Sequence, residues 1–227
     1  MKKLLTALVT ASALTVSGLG LGTATADDTP APVPPPEAPP PPPLDGPLQP
    51  GQVRAGKVRY LGASSCAAWR LMQALARADA RGLHRFVSMQ NHYNLVYREE
   101  EREMLPLCAA EGLGVIPWSP LARGLLAGAT ATARAGSDQL SPQLYDHPGD
   151  PAVVAANLAL AQARGVTPAE TALAWLLHQP QVSAPIVGAT KMHHLEAALR
   201  AVDLRLDADE LAALATPYQP HAVRGFV

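Results

Sequence analysis

Residues 39–65 read PPPPPLDGPLQPGQVRAGKVRYLGASS, and the fold is decided inside them. A proline run gives way to Gly51 and Gln52, and an extended run at 58–62 (VRYLG) begins at once. It ends in the small polar pair Ser64 and Ser65 and leads into residues 66–80, where Leu71 and Leu75 share one helical face. A strand feeding a helix in this way is the repeating unit of a parallel sheet. No strand precedes it for it to pair with, so the folded region is expected to open on a sheet edge.

Downstream the same phasing recurs. A second strand is expected over 86–90, followed by a helix starting near Arg98. The acids Glu99, Glu100 and Glu101 crowd its first turn, where the helix dipole favours them, and a solvated helix face accounts for the run. A third strand is expected over 114–118, ending in Ser119 and Pro120, and then a long loop from 124 to 151. One or two helices run on to Gln179, the second opening with Thr167, Pro168 and Glu170 in the pattern of a capping box. A fourth strand at 184–188, a helix near 194–201 and a last helix capped by Asp207 and ending near Ala215 complete the pattern. The expected class is α/β, with about four strand–helix units. Each strand ends in polar or small residues (Ser64 and Ser65, Gln90 and Asn91, Ser119, Thr190 and Lys191), which is where an α/β barrel gathers its ligand groups.

Upstream the chain has a different character. Lys2 and Lys3, an apolar stretch over 4–21 and a small-residue Ala24-Thr25-Ala26 site read as a secretory signal peptide over 1–26. An uncleaved anchor is the alternative, because the apolar run approaches the ~18 residues that span a bilayer. Residues 29–50 are mostly proline, and the segment 27–51 is expected to form a disordered, stiff spacer in the polyproline II conformation. The expected domain therefore covers 52–227. Its location is secreted or periplasmic if the leader is used and cytoplasmic if it is not.

A formal net charge of -1 with scattered signs argues against a nucleic-acid partner. The two cysteines, Cys66 and Cys108, fit no metal spacing and are expected to be free and packed.

Five stretches carry a more specific signal: GKVRYLGASS (56–65), FVSMQNHYNLVYREEEREMLPLC (86–108), GVIPWSPLARGLLAG (114–128), PIVGATKMHHLEAAL (185–199) and PYQPHAVRGF (217–226). In this order and spacing the sequence resembles the aldo/keto reductase superfamily, nearest its bacterial branch similar to potassium-channel β subunits. The resemblance covers about residues 52–227 and implies the C-terminal half of a (β/α)8 TIM barrel.

The resemblance also implies the cofactor NADP(H), a small aldehyde or ketone as substrate, and roles for named residues. Ser64, Ser65 and Gln90 match positions that hydrogen-bond the nicotinamide carboxamide. Trp118 matches the ring that stacks on the nicotinamide. Ser119, Pro120 and Leu121 match the stretch that holds the pyrophosphate, with Arg123 and Arg134 adding positive charge. Thr190 and Lys191 match the group that takes the 2'-phosphate, and His194 meets the adenosine end. Ala197 and Ala198 depart from the acid and amide often found near the adenine. Plain alternatives stand beside these roles: Trp118 as packing, Ser64 and Ser65 as a helix cap, Lys191 as a surface charge.

The family's catalytic Asp, Tyr, Lys and His come from the first four strands, in whose place this sequence has the leader and the proline spacer. No catalytic residue is therefore assigned. His92, Tyr93, Tyr145 and His147 are the substitutes to weigh. The expected activity of the chain is weak or absent, and the open edges of half a barrel call for self-association or a complementing N-terminal half. The alternatives are an exported, non-catalytic nucleotide-binding or interaction module, and a chimeric or truncated gene product.

Overall fold

The computed structural model describes residues 53, 56–128 and 141–224. The leader and the proline spacer fall outside the described residues, as does Arg134. Within them a three-stranded parallel sheet runs in the order β1 (Leu61–Ser64), β2 (Phe86–Gln90), β3 (Gly114–Val115). Helix α1 (Ala68–Ala80) crosses from β1 to β2 and buries Leu71, Leu75 and Ala78. A 3-10 turn (Glu99–Glu101) and helix α2 (Met104–Ala110) cross from β2 to β3. Helices α3 (Ser141–Leu144), α4 (Asp150–Arg164), α5 (Pro168–His178), α6 (Met192–Asp203) and α7 (Ala208–Ala215) follow. This is the α/β arrangement expected, and none of these helices is long and apolar enough to cross a membrane.

The strands differ from expectation at their ends, for reasons visible in the pairing. β1 begins at Leu61 rather than at residue 58, because its first partner is Phe86, the first residue of β2. Val58, Arg59 and Tyr60 lie before that partner, and Tyr60 is exposed. β3 is regular for two residues only, because Pro117 has no N–H to donate. The extended course nevertheless continues, with Ile116 N–H bonded to Met89 C=O and Trp118 N–H to Asn91 C=O, both at 2.9 Å. The fourth strand expected at 184–188 is reduced to a bridge between Val115 and Val182. Ser183 N–H reaches Val115 C=O and Ile186 N–H reaches Pro117 C=O, each at 2.8 Å. Pro185 beside this segment and Pro117 opposite remove two donors, so the ladder is broken although the chain still runs along β3.

The expected helix near Arg98 is also split. Glu103 leaves helical geometry (φ -137, ψ -44), and α2 starts after it with Pro106 in its first turn. The run of three acids is not a solvated face: Glu99 and Glu100 are buried. Tyr218, the His221 N–H and Arg102 all bond Glu99, and their sum outweighs burial to hold its carboxyl below the usual range.

The core joins α1, β2, α2, α4 and α5 through Leu75, Met89, Cys108, Val153, Trp175 and Leu176. Cys66 and Cys108 are free, and burial pushes both thiols up, Cys108 to about 11. A second cluster, Leu173, Val187, Ala198 and Ala201, fastens α5 to α6, and Leu121 packs against both clusters.

The capping box at α5 forms as its spacing predicts. Glu170 N–H donates to Thr167 Oγ1 at 3.3 Å, and Thr167 N–H donates to Glu170 Oε2 at 2.7 Å. Glu170 also receives Arg200 of α6 at 2.5 Å, so one carboxylate caps a helix and ties it to its neighbour. Thr167→Ala is expected to lower stability by about 1 kcal/mol, the usual cost of an N-cap. Glu170→Ala is expected to cost more, because the Arg200 tie goes with it. Shifts in the urea midpoint measure both, and a Glu170→Ala shift no larger than that of Thr167→Ala contradicts the double role.

Candidate active site

Parallel register brings the carboxyl ends of β1 and β2 level, with Ser64 opposite Gln90. Ser65 N–H then donates to Gln90 C=O at 3.0 Å, and Trp118 Nε1–H donates to Ser65 Oγ at 3.0 Å. Three of the sequence-predicted positions thus meet in one corner. Ser64 is exposed, and Ser65, Gln90 and Trp118 are half-buried. Ser64 and Ser65 do not cap α1, whose N-cap is Ala67 with no side-chain bond. The helix-cap alternative for them therefore falls away.

Trp118 does not stand alone. Its ring stacks on His92 at 4.2 Å and 10°, and His92 stacks on Tyr97 at 4.2 Å and 11°. A parallel bridge between His92 and Trp118 holds the two backbones in step. Burial, with a smaller contribution from His221, pushes the His92 imidazole down to about 3, so this ring is neutral. Its Nε2 lies 2.7 Å from the Tyr145 hydroxyl, which also accepts from Asn94 Nδ2 at 3.1 Å. Asn94 Nδ2 reaches Ser119 C=O at 2.9 Å as well, so one side chain joins the second and third strand ends. Burial raises the Tyr145 phenol well above its ordinary value. Tyr93 faces the core, donates to Glu101 at 2.6 Å and is raised for the same reason.

After Trp118 the backbone turns sharply. Ser119, Ala122 and Arg123 all have positive φ (50°, 46° and 55°), a region non-glycine residues seldom adopt. Three such residues within five are strain held in place by their surroundings: the Asn94 bond to Ser119, the buried Pro120 and Ala122, and Leu121 between the two clusters. Through Leu121 the turn is packed against the cluster that contains Ala198 of α6. Thr190 and Lys191 stand exposed at the start of that helix, with Lys191 as its N-cap. His194, one turn in, is half-buried with its ring 4.4 Å from His193. Ala197 and Ala198 are buried and serve packing.

Asn94 and Tyr97 were not singled out from the sequence, and Asn91 was named only as part of the polar end of the second strand, although all three organise this corner. The signal was present in the cluster of polar and aromatic residues at 90–97 (QNHYNLVY), directly after a strand. Asn94 there satisfies neighbouring backbone, and Asn91 a buried carboxyl, rather than reaching solvent.

A family model described as the aldo/keto reductase family matches residues 51–217. The chain belongs to the aldo/keto reductase family. A provisionally named aryl-alcohol dehydrogenase of Schizosaccharomyces pombe is 42% identical over 177 residues, covering 76% of this chain and 50% of that protein. Versiconal hemiacetal acetate reductase of Aspergillus parasiticus is 39% identical over 177 residues, 75% of this chain and 51% of its own length. An aldo-keto reductase of Fusarium vanettenii is 40% identical over 178 residues, covering 76% and 48%. The chain spans about half the length of the curated relatives it matches, in keeping with part of the family's barrel.

Beneath this corner of the aldo/keto reductase fold lies a titrating group. Asn91 Nδ2 donates to Glu100 Oε2 at 3.2 Å, both residues being buried. Burial drives the Glu100 carboxyl up to about 7, and the Asn91 bond offsets this only in part. Its folded value exceeds its unfolded one, so between roughly pH 4.5 and 7 the folded state holds a proton that the unfolded state has released. Stability contributed by this group is therefore greatest at low pH and falls as pH rises through that window, by about 3 kcal/mol in all. Glu100→Gln keeps the acceptor for Asn91 and removes the charge. It is expected to stabilise the protein at pH 7.5 and change little near pH 4.5, read as the difference in denaturant midpoints. An equal effect at both pH values contradicts a buried titrating carboxyl.

Proposed function

We propose that the corner formed by Ser64, Ser65, Gln90 and Trp118 holds the nicotinamide of NADP(H), in a barrel that reduces small aldehydes or ketones. The observation that carries this reading is the linked trio in which Trp118 Nε1 bonds Ser65 Oγ while Ser65 N–H bonds the Gln90 backbone. It presents one indole beside a hydroxyl and an amide, groups able to donate to and accept from a carboxamide. The donor set therefore fits the cofactor that the family implies, and a bound nicotinamide supplies the hydride. Ser119 to Arg123 lie one turn further on, where the left-handed backbone and the Arg123 charge suit a pyrophosphate. Exposed Thr190 and Lys191 at the start of the 12-residue α6 suit a phosphate monoester, which favours NADP(H) over NAD(H).

Proton delivery is the part these residues do not supply. The phenols near the corner, Tyr97 and Tyr145, are raised, Tyr97 to about 12, and both are already hydrogen-bonded. A general acid needs a value near the working pH, and its loss costs roughly 10²–10⁴ in rate. We assign that step to a complementary half-barrel, provided by another chain. Tyr60, Trp69, Met72 and Val87 support this assignment. They are large, apolar and exposed, and they belong to the first strand–helix unit or to the strand beside it.

NADPH is expected to quench the fluorescence of the 227-residue chain, and Trp118→Phe to remove most of the quench. Trp175 is buried in the core and Trp69 lies on the outer side of α1, so neither should report the cofactor. Quenching that survives Trp118→Phe overturns the placement. Lys191→Ala should weaken NADPH roughly tenfold while leaving NADH unchanged, the scale of one charge-assisted bond. Consumption of NADPH with a simple aldehyde is expected only when a complementing half is added. Turnover by the polypeptide alone refutes the assignment of the proton donor and leaves the cofactor reading standing.

A further inference from the structure

Where the C-terminal segment crosses the start of α4, three matched side chains converge outside the nicotinamide corner. Asp150 opens α4, His147 lies in the turn before it, and His221 arrives from 71 residues further along the chain. One nitrogen or oxygen from each lies within 4.8 Å of the other two. His221 Nε2 and Asp150 Oδ1 are 2.7 Å apart, and the rings of His147 and His221 lie 4.2 Å apart at 38°. Gly149 N–H donates to His147 Nδ1 at 3.1 Å, so Nδ1 holds the ring's lone pair and is the nitrogen a metal ion would take in place of that N–H.

Burial makes this cluster costly as it stands. Asp150 is 4% exposed and His221 8% exposed. Asp150 Oδ2 and His221 Nδ1 are each buried without a hydrogen-bond partner. The ion-pair partner of Asp150 among the described residues is His221 alone, and His221 carries charge only when protonated. A buried carboxylate with one such partner is short of positive charge, and its orphaned second oxygen calls for a further ligand.

We propose that His147, Asp150 and His221 form a binding site for a divalent transition-metal ion, of which Zn²⁺ is the natural occupant. Two imidazoles and one carboxylate are the donors this class of ion prefers, whereas Ca²⁺ and Mg²⁺ require oxygen ligands throughout. The ion takes the place of the proton between His221 and Asp150 and accepts His147 as its third protein ligand. Three protein ligands leave a fourth position for water, and the half-exposed His147 gives that position access to solvent. Bound there, the ion cross-links the C-terminal segment to the start of α4. Its ligand His221 stands edge-on to Tyr97 at 6.0 Å, the outer ring of the stack that includes Trp118. By tying these segments together, the ion stiffens the back of the corner.

The test uses the whole 227-residue chain, freed of metal with a chelator and carrying no polyhistidine tag. Calorimetric titration with ZnCl₂ should show one saturable equivalent, and Co²⁺ should give the visible absorption of a four-coordinate site. His147→Gln is the informative variant, because this residue is the least buried of the three. It should weaken Zn²⁺ by more than the ~10–100-fold lost with an outer-shell partner and abolish the Co²⁺ band, while the metal-free melting temperature stays unchanged. A variant with both His193 and His194 changed to Gln removes the other close histidine pair and should bind as the parent does. Absence of a saturable equivalent, an equivalent that survives His147→Gln, or one lost only with His193 and His194 overturns the proposal. The first of these outcomes leaves Asp150 and His221 as a plain buried pair.

Discussion

Three main-chain hydrogen bonds step across the carboxyl ends of the strands: Ser65 to Gln90, Trp118 to Asn91, and Ile186 to Pro117. Each joins a strand end to its neighbour, and together they fix the level at which every strand stops. In a parallel sheet the side chains just beyond these points crowd one rim, whatever their identity. Their spacing is thereby set by backbone geometry rather than by contacts among the side chains. This constraint lets residues as far apart in sequence as Ser65 and Trp118 come within hydrogen-bonding distance. Slippage by one residue would turn Gln90 to the helix side and send Met89 to the rim, exchanging an amide for a thioether.

Polar burial behind the rim follows from the same constraint. Strand ends leave unpaired carbonyls and N–H groups, and here they are met by side chains from the 90–100 stretch. Asn94 satisfies Ser119 C=O and the N–H groups of Val96 and Tyr97. Glu99 satisfies the His221 N–H and, through Tyr218, the Arg98 backbone. A fully satisfied polar network rigidifies its surroundings, whereas a partly satisfied one costs stability. Glu99 and Asn94 represent the first case. Glu100, with one amide for company, represents the second. Two neighbouring carboxyls are thus driven in opposite directions by the number of donors each meets.

Local rules carried most of the fold. The α5 and α7 capping boxes, the 3.6-residue spacing in α1 and the bounds of β2 are fixed by interactions within a few residues, and all were legible in the sequence. What went unread depends on partners distant in the chain. The start of β1 is set by Phe86, and the broken fourth strand by Pro117 opposite. The acids at 99–101 look solvated until Tyr218 and His221, some 120 residues away, are seen to cover them. Of the candidate site, Ser65, Gln90 and Trp118 were expected to act together and do meet, and Leu121 links the turn to α6. The supporting roles of Asn94 and Tyr97 were missed because an amide and a phenol bonded to backbone leave no periodic trace.

Exposure along the sheet is uneven, and that asymmetry bears on how the rim could work. Around α4 and α5 the apolar side chains are mostly covered; Leu158 is the exposed exception. Around β1 and α1 they are not: Tyr60, Trp69, Met72 and Val87 all face solvent, with Trp69 60% exposed. On the other face, Gly62 and Ser64 are open, and a side chain at Gly62 would meet Ser88 Oγ at 2.7 Å. Among the described residues β1 is an edge of the sheet, so unpaired backbone and this apolar surface coincide, while Met192 and Leu199 are exposed on α6. That edge also carries Ser64, the outermost of the carboxamide candidates. A body that pairs with β1 would cover the apolar surface, close the edge and bring new side chains beside the proposed nicotinamide corner in a single step. Covering the apolar surface and closing the edge would then be one event, and the stability of the rim could not be separated from that pairing.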